Sequence, residues 1–290
     1  MYKSALDIID LTEKYGCRIC DVVLMNECKT SEKSKDEVRQ RVKDVLNVMR
    51  ESAKSGLNDS IKSVSGIIGG NAKKVEEYRK KGRTVCGDVV NKAVARALSS
   101  SEVNAAMGKI VACPTAGSCG IVPAAIITSG EIINADEELL IDALLTASGI
   151  GQIIAKNATL SGAEGGCQAE CGSASAMAAA AIVEMFGGTP KMAFNASAIA
   201  LKNILGLVCD PVAGLVEVPC SKRNAMGVVN AMSSADMALS GVESVIPFDE
   251  VVTAMYKVGK MLPSELRETA LGGLAATPTA IKISKEIGME

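Results

Sequence analysis

The 290-residue chain contains no histidine and no tryptophan. The first absence removes a class of mechanism: no Ser-His-Asp triad, histidine zinc site or histidine general base can be assembled from this chain alone. Proton handling falls to Lys, Glu, Asp, Tyr or Cys, or to another chain. Aromatic residues amount to 2% while hydrophobic residues make up 48%. The core must therefore be built from Ala, Ile, Leu, Val and Met, with 27 glycines and other small residues letting helices approach closely. The formal net charge is −2, which offers nothing to nucleic acid or to an anionic membrane surface. There is no basic, signal-like opening and no uninterrupted apolar run of about 18 residues, so the expected setting is the cytoplasm with no membrane segment.

What the chain does have is ten cysteines. Without a secretory signal they imply a reducing compartment and thiol or metal chemistry rather than a disulfide framework. Cys17 and Cys20 form a CxxC motif with Cys28 nearby, but the motif continues into VVLMNEC on what reads as a helix, so these are packing thiols. Four others, Cys167, Cys171, Cys209 and Cys220, lie in a stretch of small residues between Gly162 and Gly227. Three of them fall where the chain is irregular: Cys167 follows Gly165-Gly166, Cys209 precedes Asp210-Pro211, and Cys220 follows Pro219. Cysteines on turns can converge on a soft metal or an iron–sulfur cluster. Their separations, 42 and 11 residues, match neither zinc knuckles nor a ferredoxin run. From the residues alone, four buried packing thiols are the favoured reading.

Apolar spacing is helical throughout and no strand-like alternation exceeds four or five residues, so the fold reads all-α: a large helical domain rich in small residues. Helices are expected at 3–15 with Gly16 as stop, through VVLMNEC, at 34–54, 89–98 (with Asp88 as N-cap), 104–110, 136–156, 171–186, 191–206, 223–238, 249–260 and 264–271. Residues 55–88, rich in Gly, Ser and Lys, read as a connector. Residues 1–290 are taken as one domain, in which 1–54 can form a helical subunit. No internal repeat is evident.

The segment VACPTAGSCGIVPA breaks the helical period. Its Thr115-Ala116-Gly117-Ser118 offers two hydroxyls and flexible amides just before an apolar run, a setting suited to a substrate carboxylate. An ordinary capped loop explains it equally well.

The segments CPTAGSCGIVPA, GCQAECGSASAMAAA and CDPVAGLVEVPCSKRNAMG resemble, in that order, the alpha portion of iron–sulfur-dependent L-serine dehydratase (L-serine ammonia-lyase), over about Val85 to Pro278, and the length suits the alpha chain of the two-chain form. The resemblance implies a [4Fe–4S] cluster with one open iron, ligated by Cys167, Cys209 and Cys220 on inter-helix loops. It implies deamination of L-serine to pyruvate and ammonia, with Thr115, Gly117 and Ser118 as substrate-loop residues. Arg223 either pairs with the substrate carboxylate or caps a helix, and Asp210 steadies the ligand loop from behind. A related branch acts on cysteine as a desulfidase, and a non-catalytic iron–sulfur or zinc-binding protein is a further alternative. Pyridoxal phosphate is not expected: only Lys156 lies near a Gly-rich turn, and it otherwise reads as a solvated lysine. The catalytic base is expected on a separate beta chain, which makes the assembly a hetero-oligomer, with Lys156 or Glu164 as fallbacks. Single-chain members end in a cysteine that reaches the cluster. Here the sequence ends Ile287-Gly288-Met289-Glu290, so that feature does not carry over.

Overall fold

The structure, a computed structural model, describes residues 2–289; Glu290 lies outside them. The order of helices is α1 (Ala5–Tyr15), α2 (Ile19–Ser31), α3 (Lys35–Asn58), α4 (Asn71–Lys80), α5 (Gly87–Ala105), α6 (Ile121–Ile132), α7 (Glu137–Asn157) and the single turn α8 (Gly162–Gly165). They are followed by α9 (Ser173–Met185), α10 (Pro190–Lys202), α11 (Cys220–Leu239), α12 (Phe248–Met261) and α13 (Pro278–Glu286). Extended backbone pairs only as two isolated bridges among the described residues, and the fold is all-α.

Local signals place the ends. Ser4 accepts from the Asp7 amide and Asp7 caps back, closing a capping box at α1, and Gly16 terminates it at φ 59°. Ser34 and Glu37 repeat the box at α3, while Asp136 caps α7 through the Leu139 amide. Thr189 and Thr277 each precede a helix-opening proline. In α1 the buried residues are Ala5, Ile8 and Thr12, whereas Leu6 faces solvent.

Helix α9 (SASAMAAAAIVEM) is the centre. Every residue from Ser173 to Val183 is buried, and α6, α7, α10 and α11 pack around it. Alanine and serine side chains let these neighbours come close, and Ser175 satisfies its hydroxyl on the carbonyls of Cys171 and Gly227. Helices α1 to α3 contribute Ile8, Ile19, Leu46 and Met49 to the same core as α9. Carboxylates of the inner helices hold them there. Glu184 of α9 accepts the amides of Ile19 (2.6 Å) and Cys20 (3.1 Å) at the start of α2. Asp142 of α7 takes Arg18 and Arg39, both at 2.8 Å. Among the described residues one helix, α7, is long and apolar enough to cross a membrane, and 72% of its apolar window is buried inside the protein.

Three expectations are corrected. Residues 55–88 are not merely a connector: α3 runs on to Asn58 and α4 forms at 71–80. Glu102 of α5 accepts the Asn71 and Ala72 amides at the start of α4, a cap supplied from far along the chain. The helices expected at 89–98 and 104–110 are one helix ending at Ala105, after which the chain extends. It starts from Cys86, and Asp88 pairs with Arg79 instead of capping. Residues 264–271 form only one short 3-10 turn. Their backbone is engaged with Cys209, whose amide donates to Leu266 O (2.8 Å) while Glu268 N donates to Cys209 O (2.7 Å).

Candidate active site

Three stretches meet at the N-terminal end of α9. The first is the loop 113–118, leading into α6. The second is the turn from Gly162 to Gly172. The third is the loop 209–220, leading into α11.

The 162–172 turn is shaped by glycine and glutamine. Gly166 has φ 77° and lies so near the 207 backbone that a Cβ would stand 2.8 Å from Leu207 O, which only glycine tolerates. Gln168, fully buried, donates to the carbonyls of Gly165 (2.9 Å) and Met255 (3.1 Å) and accepts from Gly206 N (2.9 Å). From Gln168 to Gly172 the backbone is π-helical and runs straight into α9. Such a bulge re-aims side chains and recurs at functional sites.

The three singled-out cysteines come together here. Cys167, Cys209 and Cys220 are 2%, 3% and 9% exposed, and all ten cysteines are free thiols. Cys220 opens α11, Cys167 immediately precedes the π turn, and Cys209 lies on extended backbone. Burial, then the charges of Glu170 and Cys167, holds the Cys209 thiol far above its ordinary range. Burial, then Cys167 and Glu170, pushes Cys220 up to about 12. Cys167 goes the other way, lowered by the Cys171 sulfur at 3.4 Å and next by the Arg223 charge. It is the most acidic of the three.

Arg223 reaches back from α11 over the loop that carries Cys209. Its guanidinium donates to Val208 O (2.7 Å) and Asp210 Oδ1 (2.8 Å). Asp210, 3% exposed, also accepts Leu274 N at 2.7 Å. Arg223 is thus committed to holding the loop, and Asp210 ties the loop to the C-terminal segment.

In the 113–118 loop, Thr115 and Ser118 bond to each other (3.2 Å), and Ser118 is fully buried. Gly117 is half-buried, and its carbonyl accepts Asn224 Nδ2 at 2.7 Å. Asn224 also accepts Gly120 N (2.8 Å) and donates to Cys220 O (2.9 Å), so one buried amide fixes the loop against the start of α11. Thr115 donates to Glu170 Oε1 at 2.7 Å. A cavity of about 590 Å³ opens beside Ala116 and Gly214–Glu217, on the flank of both loops.

Glu170 and Asn224 escaped the sequence reading. Glu170 is 8% exposed, its Oε2 3.8 Å from the Cys209 sulfur. Burial raises its pKa, and the nearby Glu268 charge adds to the rise against the Thr115 bond. Gly162 makes room for this pair: a Cβ there would stand 2.7 Å from Glu170 Oε2 and 3.0 Å from Cys209 Sγ. The one sequence clue to Glu170 is that it is the sole charged residue from Gly165 to Val183.

Lys156 lies apart. Its amine donates to Tyr2 O (3.0 Å) and sits 5.1 Å from the Tyr2 ring centre, fastening the N-terminal segment. Glu164 is exposed on α8.

Among the described residues no three His, Cys, Asp or Glu side chains stand close enough to hold one metal ion. Around a single tetrahedral ion the ligands must crowd within one coordination sphere. An iron–sulfur cube takes its thiolates on separate irons, hence farther apart. Three buried thiols from three chain positions, with Cys209 raised, beyond its burial, by the other two and Cys220 by Cys167, suit the second case.

A family model described as the serine dehydratase alpha chain matches residues 14–275. The chain is 52% identical over 286 residues to the L-serine dehydratase alpha chain of Peptoniphilus asaccharolyticus, covering 99% of this chain and 98% of that one. It is 50% identical over 287 residues to the probable L-serine dehydratase alpha chain of Bacillus subtilis, covering 99% and 95%. With L-serine dehydratase 2 of Escherichia coli the identity is 36% over 285 residues, 94% of this chain but only 61% of that longer protein. On these matches, which run nearly end to end, the chain belongs to the serine dehydratase alpha chain family.

Proposed function

We propose that this chain is the cluster-bearing alpha chain of a cytoplasmic L-serine dehydratase, which converts L-serine to pyruvate and ammonia. The observation that carries the reading is the meeting of Cys167, Cys209 and Cys220 in one buried pocket, beside the Thr115 loop. The names of the relatives support the reaction and the substrate.

Cys167, Cys209 and Cys220 would hold a [4Fe–4S] cluster. When bound with only three thiolates, it supplies an open, Lewis-acidic iron. The rest is the work of this chain's side chains. Arg223 and Asp210 fix the Cys209 loop, and Asn224 keeps the 113–118 loop in register with Cys220. Backbone amides of that loop receive the substrate carboxylate, while the Thr115 hydroxyl proton stays directed at Glu170. Near-complete burial excludes water from the thiols. Loss of the α-proton and of hydroxide gives an enamine that tautomerises and hydrolyses.

The α-proton needs a base with a pKa near working pH. Histidine meets that need unperturbed, and this chain has none. Lys156 is engaged with Tyr2. A beta chain is therefore the expected source of the base, consistent with the longer relative of which this chain spans 61%.

The test is anaerobic reconstitution of the purified alpha chain with iron and sulfide, followed by pyruvate assay with and without beta chain. The visible cluster band should appear with alpha alone. Pyruvate should rise on the order of a hundred- to ten-thousandfold when beta is added. Full turnover by alpha alone would refute the two-chain reading, and sulfide release from cysteine exceeding pyruvate release from serine would assign the desulfidase reaction instead.

A further inference from the structure

We propose that Glu170 binds the α-ammonium group of the substrate and thereby selects an amino acid over a hydroxy acid of the same size. The inference rests on the serine dehydratase reading above. L-Serine carries three groups to be matched: a carboxylate, a hydroxyl and an ammonium. The ammonium has donors and no acceptor, and burying it without a partner is strongly unfavourable.

Glu170 is suited to that role by its surroundings. It is buried to all but 8%, yet no Lys or Arg among the described residues pairs with it. The cation beside the pocket, Arg223, has its guanidinium on Val208 O and Asp210. The contacts of Glu170 are the Thr115 hydroxyl at 2.7 Å and the Cys209 sulfur at 3.8 Å. A carboxylate needed only to anchor Thr115 would be replaceable by glutamine, without the cost of a buried charge. Glu268 adds a second negative charge in its vicinity, the reverse of what a purely structural carboxylate would be given. Glu170 also touches both the substrate loop, through Thr115, and a ligand loop, through Cys209, so a serine held between the two loops has it as a neighbour.

The test compares L-serine with L-glycerate, which replaces the amine by a hydroxyl and keeps the carboxylate and the 3-hydroxyl. Binding is read from the change each ligand causes in the cluster's visible and electron-paramagnetic spectra, in the complex of this chain with its beta chain, with iron content measured for every variant. Wild-type protein should bind serine at least about tenfold more tightly than glycerate. Glu170→Gln should weaken serine roughly 10- to 100-fold and leave glycerate within about twofold, raising KM for serine more than it lowers kcat. Glu170→Asp, which keeps the charge, should retain the preference for serine. The proposal is overturned if serine and glycerate weaken together, if Glu170→Gln leaves serine binding unchanged, or if wild-type protein shows no preference between them. The last comparison needs no variant and so stands even if Glu170→Gln fails to load its cluster. A wild-type cluster that responds to neither ligand would refute the dehydratase reading as well. A response to serine without the Glu170 effect would refute this inference alone.

Discussion

Removing the Asp210 carboxylate should unfasten the loop that carries Cys209, and the structure gives the size of the effect. Its side chain is 4% exposed and that of its partner Arg223 13%. Oδ1 accepts Arg223 Nη2 at 2.8 Å and Oδ2 accepts Leu274 N at 2.7 Å. In Asp210→Ala the guanidinium keeps Val208 O and its interaction with Cys167, and the Leu274 amide loses its acceptor. Breaking a buried ion pair from one side costs about 3–5 kcal/mol. Asp210→Asn keeps an acceptor for Leu274 N and nearly the full volume, so it should cost about 1.5–3 kcal/mol, the worth of a charged hydrogen bond. Both are measured by urea unfolding of the cluster-free chain under reductant, so that metal binding does not enter the equilibrium. Repeating Asp210→Ala in an Arg223→Met background should shrink its cost by more than about 1 kcal/mol, because no stranded charge then remains. Iron content after reconstitution should fall in the same order. An Asp210→Ala protein within about 1 kcal/mol of wild type, with full iron, would refute the role of Asp210 as the fastener of this loop.

Other expectations are narrower. Cys167→Ala, Cys209→Ala and Cys220→Ala should each lose reconstituted iron, whereas Cys17→Ala, Cys28→Ala and Cys171→Ala should retain it; iron analysis decides. Gly120→Ala would place a Cβ 2.3 Å from Ala97 O, at the crossing of α5 and α6. Backbone cannot yield as a side chain does, so the loss should reach at least about 1–3 kcal/mol, seen as a lowered melting temperature. Glu76 is held below the ordinary glutamate range first by its bond to Arg79. A depressed folded-state pKa contributes stability above the unfolded value of about 4.3, which is lost as pH falls through the lower folded value. Glu76→Gln should therefore flatten the acid limb of unfolding monitored by circular dichroism, and an unchanged limb would show that the pair contributes nothing there.

The helices that sequence reading found are those whose signals are local. Capping boxes at Ser4 and Ser34, the αL stop at Gly16 and the Thr-Pro opening of α10 are written in three or four adjacent residues. Helix α4 was missed because NAKKVEEYRK buries only Ala72 and Glu76, and its start is capped by Glu102, some thirty positions on. The reverse error at 264–271 has the same origin, since the pairing with Cys209 that prevents a helix there is remote in sequence. The site divides likewise. Irregular flanks and family resemblance marked Cys167, Cys209 and Cys220, but nothing beside Asn224 hints that it bonds Gly117 and Gly120, over a hundred residues earlier. Arg223 was read as a choice between gripping substrate and capping a helix. Its contacts give it a third task, holding the loop of Cys209.

The fold answers a difficulty that this charge inventory poses. Three thiols and Glu170 share this region with Arg223, whose charge lowers Cys167 but which is also paired with Asp210, so the acidic groups outnumber their counter-charge. Burial alone resists thiolates, as the raised Cys209 and Cys220 show. Yet α6, α9 and α11 pack against one another, and each begins where a site loop ends: α6 after Ser118, α9 after the π turn that follows Cys167, α11 at Cys220 itself. The first amides of α11, those of Ser221, Lys222 and Arg223, are taken by the carbonyls of Glu217 and Pro219, and α9 continues from the π turn, but each start still carries the positive end of a helix dipole. Glycine and alanine make the arrangement possible, because three helix ends cannot gather around one pocket if bulky side chains keep the helices apart. The small-residue bias of the sequence thus serves the site: close packing lets helix dipoles add to the Arg223 charge beside the thiols.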